Sequence, residues 1–301
     1  MKNKIVIAGG TGFIGQYLNK RFCEEGFEVL IISRDTNHIN WNDTSKIIDS
    51  LEGAEALINL AGKSVDCRYN EKNKSLILNS RVASTRKLQS LIDQCRTPPK
   101  LWINSSTATI YRHSEDKAMD EYTGEIGSGF SVEVAKVWEK AFFEKPASNT
   151  RKVALRIAIT IGKNGGVMKP YINLVKYGLG GRQGSGMQMF SWIHIEDLFR
   201  AIRFVMNNDD MQGIYNCAAP NPVMNKVFMK EMRNILKPLI YLPSPKFLLK
   251  IGAYFINTET ELVLKSRWVI PRKLMEKNFV FKYPTVGNAL KDILQDSTMP
   301  K

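Results

Sequence analysis

The chain is poor in the residues that build metal sites and disulfide frameworks. Its four cysteines, Cys23, Cys67, Cys95 and Cys217, are widely separated and form no C-x-x-C pair, so they read as reduced thiols of an intracellular protein. The three histidines, His38, His113 and His194, show no H-x-x-x-H spacing and no Cys/His grouping, and no metal site is expected. No run of 18 apolar residues occurs, which argues against a transmembrane helix. No block of five like charges is present, nor a helix-turn-helix, zinc-finger or RNP signature, so nucleic acid is not expected as the main partner despite a formal net charge of +14. Part of that excess is expected to face an anionic cofactor or substrate. The chain opens almost directly on a strand, leaving no room for a cleavable leader. The expectation is a cytoplasmic protein, with mitochondrial entry by an uncleaved signal as the alternative.

What is present is concentrated at the start. Ile5 to Ala8 reads as a buried parallel strand, Gly9, Gly12 and Gly15 follow at G-x-x-G-x-x-G spacing, and Phe13 to Glu25 reads as a helix. One glycine permits the tight turn, one admits a pyrophosphate to the backbone, and one lets helix and strand pack closely. The pyrophosphate would sit on the free N–H groups and positive dipole end of the helix, with Phe13 and Ile14 in its first turn. Strand, glycine turn and helix in this order indicate a dinucleotide binder.

The second strand, Glu28 to Ser33, ends in Ser33-Arg34-Asp35. An NAD binder usually places an acid here to hold the ribose hydroxyls. A serine and a guanidinium instead suit a 2′-phosphate. NADP is therefore the expected cofactor. In the alternative, Arg34 is a solvated loop residue and Asp35 holds the ribose of NAD.

Apolar runs then alternate with helical stretches, as parallel β-α-β units require. Ala56 to Ala61, Leu101 to Ser105, Lys152 to Thr160 and Gly213 to Cys217 read as further strands. Glu71 to Cys95, Val132 to Phe143, Pro170 to Tyr177 and Ile195 to Met206 read as helices. The expected fold is a Rossmann-like, doubly wound parallel α/β sheet over residues 1–220. Beyond it, Pro222, Pro238, Pro243, Pro245, Pro271 and Pro284 punctuate helical segments, which suggests a small, mostly helical lobe over 221–301.

These motifs resemble the extended short-chain dehydrogenase/reductases, specifically the atypical epimerase-like branch with a C-terminal domain of unknown function. The resemblance rests on Gly-Gly-Thr-Gly-Phe-Ile-Gly (9–15), Ile-Ser-Arg (32–34), Asn-Leu-Ala-Gly (59–62), Ser-Arg-Val (80–82) and Trp138-Glu139. It continues through Leu-Arg-Ile (155–157), Gly-Leu-Gly-Gly (178–181), Gly-Ser-Gly (184–186), Trp-Ile-His-Ile-Glu-Asp (192–197), Ala-Ala-Pro (218–220) and Pro271-Arg-Lys-Leu with Phe279 to Pro284. It implies that Leu60 and Ala61 run past the adenosine half of the cofactor, Arg81 lies near the phosphates and Thr160 near the nicotinamide side.

The family's Tyr-x-x-x-Lys pair is missing: no tyrosine has a lysine four residues on. Aligned on Trp138-Glu139, Ser131 and Ala135 occupy the two positions, and Lys136 points about 100° further round the helix. Neither replaces a phenol that moves the proton accompanying hydride transfer. Ser105 to Tyr111 resembles the segment that hydrogen-bonds the substrate oxygen, with Ser106 and Thr107 as candidates and Tyr111 as the nearest phenolic acid. The alternative is hydroxyls that satisfy a strand end and a packed Tyr111. His194 fits a structural hydrogen bond ahead of a helix better than a general base. Arg182 and Gln188 are candidates for substrate contact.

Three functions follow in order: an NADP-dependent oxidoreductase or epimerase for a small polar metabolite, an NADP-binding sensor or structural subunit without turnover, and a charge-driven binder of anionic polymers or surfaces.

Overall fold

Why the sheet is parallel is visible in its strands, which are apolar on both faces. In chain order they are β1 (Lys4–Ala8), β2 (Glu28–Ser33), β3 (Ile39–Asn40), β4 (Ala56–Asn59), β5 (Leu101–Thr107) and β6 (Arg151–Ile157), followed by β7 (Ile159–Ile161), β8 (Met189–Phe190), β9 (Trp192–His194), β10 (Gly213–Cys217) and β11 (Val223–Met224). The computed structural model describes residues 3–147, 149–163, 165–243 and 265–295. Seven strands form one sheet in the order β10-β6-β5-β4-β1-β2-β3, every neighbouring pair parallel.

Alternation along β1 sends Ile5 and Ile7 to one face and Val6 and Ala8 to the other. On the first face lie α1 (Phe13–Glu24) and α6 (Ile195–Asn207), through Leu18, Phe22, Leu198, Phe199 and Ile202. On the second lie α2 (Thr44–Leu51), α3 (Glu71–Ile92) and α4 (Phe130–Phe143), through Ile47, Leu51, Leu88, Leu91 and Phe142. The result is the expected Rossmann-like, doubly wound architecture. Strand order reverses beside β1, which has β2 on one side and β4 on the other. A crevice at their carboxyl ends is where such sheets take ligands.

The stretch expected as one strand, Lys152 to Thr160, is two. The Ala158 N–H donates to the Cys217 carbonyl, and beyond that point β7 leaves the sheet to pair with β9. β3 and α2 carry too few residues to stand out as periodic segments. The C-terminal part is helical. A second core joins α5 (Met168–Lys176), α7 (Asn225–Leu236) and α9 (Val286–Leu294) around Phe190, Trp192 and Phe228. Pro245, and any helix expected between 244 and 264, lie outside the described residues.

The chain after 265 returns to the sheet. Its short helix α8 (Arg272–Glu276) covers β10, and Lys273 Nζ donates to the Ile214 carbonyl at 3.0 Å. The Asn216 N–H on the same strand donates to Glu121 Oε1 at 2.8 Å. Further on, the carboxylate of Asp197, in the first turn of α6, accepts the N–H groups of Lys282 and Tyr283 at 2.7 and 2.9 Å.

Candidate functional site

The three glycines of the first turn have different structural reasons. Gly9 has φ +80°, and a Cβ there would fall 2.8 Å from the Ala61 nitrogen and 2.9 Å from the Leu60 carbonyl carbon. The turn therefore lies against the 60–61 backbone, and only glycine fits. At Gly15 a Cβ would fall 2.5 Å from the Gly10 Cα, so α1 packs on the turn without clearance. Gly12 differs from both. Its φ is −79°, and the nearest heavy atom to a Cβ there is 3.8 Å away. Neither conformation nor packing demands a glycine at this position. As N-cap of α1 it supplies no side-chain hydrogen bond, where Ser, Thr or Asp would stabilise the helix. The first intrahelical bond runs from Gln16 N–H to the Gly12 carbonyl at 2.8 Å. The amides of Phe13, Ile14 and Gly15 precede it and are the open donors of the helix end.

At the end of β2 the acid is turned inward to its own loop. The Asp35 carboxylate accepts the Asn37 N–H at 3.0 Å, and the buried Ser33 hydroxyl accepts the Asp35 N–H at 2.9 Å. Arg34 is exposed and makes no hydrogen bond or ion pair among the described residues.

A buried amide network holds the 60–61 backbone. The Ala61 N–H donates to Asn59 Oδ1 at 3.1 Å, and Asn59 Nδ2 donates to Asn104 Oδ1 at 2.7 Å and to Thr85 Oγ1 at 3.3 Å. Trp138 Nε1 donates to Thr85 as well, at 3.1 Å. Arg81 lies behind this segment. Its Nη1 donates to the carbonyls of Lys63 and Ile77, each at 3.0 Å, and its guanidinium stands 5.2 Å over the Trp138 ring. Gly62 leaves room for it, since a Cβ there would lie 3.1 Å from Arg81 Cζ. Burial holds the guanidinium below its ordinary value.

The candidate hydroxyls at the end of β5 divide sharply. Ser106 Oγ donates to Glu139 Oε1 at 2.6 Å, both residues buried. Tyr111 is also buried; its hydroxyl donates to Asn216 Oδ1 and accepts from Arg156 Nη1, each at 2.9 Å. Burial raises its pKa against the opposing Arg156 charge. The protons of Ser106 and Tyr111 are thus committed within a closed network. Thr107 is different: its Oγ1 accepts the Thr109 N–H at 3.1 Å, and its own proton finds no acceptor among the described residues.

Glu139 and Arg156, quoted above only as parts of motifs, are the centre of this network. Arg156 Nε and Nη2 reach the two carboxylate oxygens of Glu139 at 2.8 and 2.7 Å. Burial disfavours the Arg156 charge, but the Glu139 carboxylate outweighs it and holds the guanidinium above its ordinary value. Ala135, at the position of the family's lysine, is buried among Ala108, Ile110 and Tyr111. Lys136 points elsewhere and pairs with Glu133 at 3.0 Å.

The other candidates are placed as follows. Phe13 packs on Gly162, Gly165 and Gly166, and a Cβ on Gly165 would fall 2.1 Å from its ring. Thr160 lies in β7 on the same side, its hydroxyl 3.4 Å from the Ala158 carbonyl. Gln188 is buried and donates to the Gln183 carbonyl at 2.9 Å, a structural bond. Arg182 is exposed and reaches the Ser185 carbonyl at 3.4 Å. His194 caps α6, its Nδ1 accepting the Glu196 N–H at 3.2 Å. Among the described residues no group of three or more His, Cys, Asp or Glu could hold a metal.

Sheet order, glycine turn and the strand-end segments together define an extended short-chain dehydrogenase/reductase architecture. The chain belongs to the NAD dependent epimerase/dehydratase family, whose model matches residues 5–218. A second model, a domain of unknown function (DUF1731), matches residues 244–293, of which 244–264 lie outside the described residues. Epimerase family protein YfhF of Bacillus subtilis (strain 168) is 33% identical over 304 residues, spanning 97% of this chain and 98% of that protein. The crystal structure of the human epimerase family protein SDR39U1 with NADPH superimposes with a TM-score of 0.88 at 29% identity, over 97% of this chain and 99% of that one. A nucleoside-diphosphate sugar epimerase from Corynebacterium glutamicum gives a TM-score of 0.79 at 26% identity, over 98% of this chain and 58% of that one.

Proposed function

We propose that this protein binds NADP(H) across the carboxyl ends of β1, β2 and β4, and acts in the cytoplasm on a small polar metabolite. The observation that carries the reading is the pairing of an uncapped α1, whose Gly12 serves no packing purpose, with an unengaged Arg34 beside an Asp35 already bonded to its own loop. The amides following Gly12 suit a pyrophosphate, as do Gly9 and Gly15 through the shape of the turn. Ser33 and Arg34 would take the 2′-phosphate, and the Leu60–Ala61 backbone the adenosine side. Arg81 would act through the 62–63 backbone, with Phe13, Ile14 and Thr160 flanking the path to the nicotinamide. Residues 1–220 would form the nucleotide unit and 221–301 the adjoining lobe. Four free cysteines suit a reducing compartment.

When bound, the nicotinamide supplies a hydride acceptor or donor. Of the three hydroxyls at the end of β5, Thr107 is the one able to donate to a substrate oxygen, while Ser106 and Tyr111 hold the floor beneath it. A second reading, an NADP-binding sensor without turnover, is favoured by the same commitment of the Ser106 and Tyr111 protons. Calorimetric titration of the protein and of Arg34→Ala with NADPH and NADH tests the cofactor. Tighter NADPH binding that Arg34→Ala reduces at least about tenfold is expected, since a charge-assisted phosphate contact is worth roughly 1.5–3 kcal/mol. Equal affinity for both nucleotides would overturn the NADP assignment. Hydride exchange that Thr107→Val abolishes while NADPH binding persists separates the enzyme from the sensor.

A further inference from the structure

Residues 163–195 and 211–243 contain eight Lys and Arg but a single acid, Glu231. Within these stretches a run of large apolar side chains faces solvent. Leu239, Ile240, Tyr241 and Leu242, bracketed by Pro238 and Pro243, are all exposed, as is Tyr177 beside them. Exposed apolar residues are ordinary when scattered, but a contiguous cluster marks an interaction surface.

The cluster is held in place. The Leu242 N–H donates to the Gly178 carbonyl at 2.7 Å, and the Gly181 N–H to the Leu242 carbonyl at 2.9 Å. A Cβ on Gly181 would fall 2.4 Å from that carbonyl oxygen, so the Gly178–Gly181 motif seats this run. Arg233 donates to the Gly180 carbonyl at 2.6 Å and lies 4.4 Å over the Tyr241 ring. The chain is thus pinned by its backbone and its side chains are left outside. Val175, Lys176, Gly178 and Lys237 line a groove with Leu239, Ile240 and Leu242, and among the described residues that line it there are two lysines and no acid.

We propose that this face docks on an anionic lipid bilayer, with Leu239, Ile240 and Tyr241 entering the interface and Lys176, Lys237 and their neighbours on the headgroups. Charge complementarity selects this occupant. An apolar tip favours hydrocarbon, tyrosine suits the headgroup level, and a one-signed basic surround favours an anionic leaflet. Nucleic acid would use the lysines and leave the leucines wet. A peripheral attachment also agrees with the lack, among the described residues, of any helix long and apolar enough to cross a membrane. The proposal is independent of the cofactor assignment.

Flotation of the full chain with phosphatidylcholine vesicles, with and without phosphatidylglycerol, tests it. At least about tenfold more protein should float with the anionic vesicles at low salt, and the difference should shrink as ionic strength rises. Leu239→Ser with Ile240→Ser, and separately Lys176→Glu with Lys237→Glu, should each abolish flotation while leaving the melting temperature unchanged, because these side chains are outside the core. No flotation of the parent, or full flotation of either variant, overturns the proposal. So does a dimer in analytical ultracentrifugation that the serine variant dissolves, since the face would then belong to a second copy. Binding to a single-stranded oligonucleotide that only the glutamate variant weakens, without flotation, assigns the charge to nucleic acid instead.

Discussion

Glu139 and Arg156 meet through two hydrogen bonds, 2.8 and 2.7 Å long, that join α4 to β6. Ser106 rests on the carboxylate and Tyr111 on the guanidinium. Removing one member of a buried pair strands the other charge, so Glu139→Ala should cost about 3–5 kcal/mol. Glu139→Gln with Arg156→Met should recover much of that loss. Urea unfolding of Glu139→Gln, Arg156→Met and the double variant measures the coupling, and losses that simply add in the double variant would show that the pair is not a unit.

Gly12 and Gly15 should separate ligand binding from folding. Gly15→Ala forces a methyl onto the Gly10 backbone and should destabilise by roughly 1–3 kcal/mol, as overpacking does. Gly12→Ala has open space and should cost about 1 kcal/mol or less. It should nevertheless weaken NADPH binding at least about tenfold, because the methyl enters the space in front of the open amides. Thermal melts and calorimetry on both variants read the two effects separately.

His194 predicts the acid limb of stability. Burial lowers its pKa from 6.5 to about 4, in spite of the Asp292 carboxylate 3.3 Å from Nε2. The unfolded chain therefore binds a proton that the folded one refuses between these values. Stability should be unaffected by this group above pH 6.5, fall as pH drops towards about 4, and lose on the order of 3 kcal/mol in total. In His194→Gln the slope over that window should flatten. An unchanged slope would assign the acid sensitivity to carboxylates.

Asp197 ties the last stretch of chain to the sheet domain. Asp197→Ala leaves the N–H groups of Lys282 and Tyr283 without their acceptor, at about 1–3 kcal/mol each. Limited proteolysis should cut the variant between α8 and α9 before any other site, whereas resistance equal to the parent's would mean water replaces the carboxylate.

The elements legible in the sequence were those with a pattern of their own. β2 and β10 match their expected bounds because parallel strands buried on both faces read as unbroken apolar runs between turns. The break at Ala158 did not show, since a strand leaving its sheet needs no change in composition. The glycine turn after β1 and the Ser33-Arg34-Asp35 end of β2 were readable from local order alone. Glu139 and Arg156 were not, because their meaning lies in a contact between two elements 17 residues apart. The proton commitments of Ser106 and Tyr111 depend on that contact, so a list of hydroxyls could not rank Thr107 above its neighbours.

The two margins of the central sheet have a consequence for how this protein meets copies of itself. On one side the outermost strand is only Ile39–Asn40, too short to template another. On the other, Lys273 occupies the Ile214 carbonyl and Glu121 the Asn216 amide. An incoming extended segment would find its hydrogen-bonding partners already taken. Sheet-to-sheet polymerisation, the usual hazard of a wide open sheet, is blocked at both margins, and misassembly would have to begin with the loss of the C-terminal turn that carries Lys273.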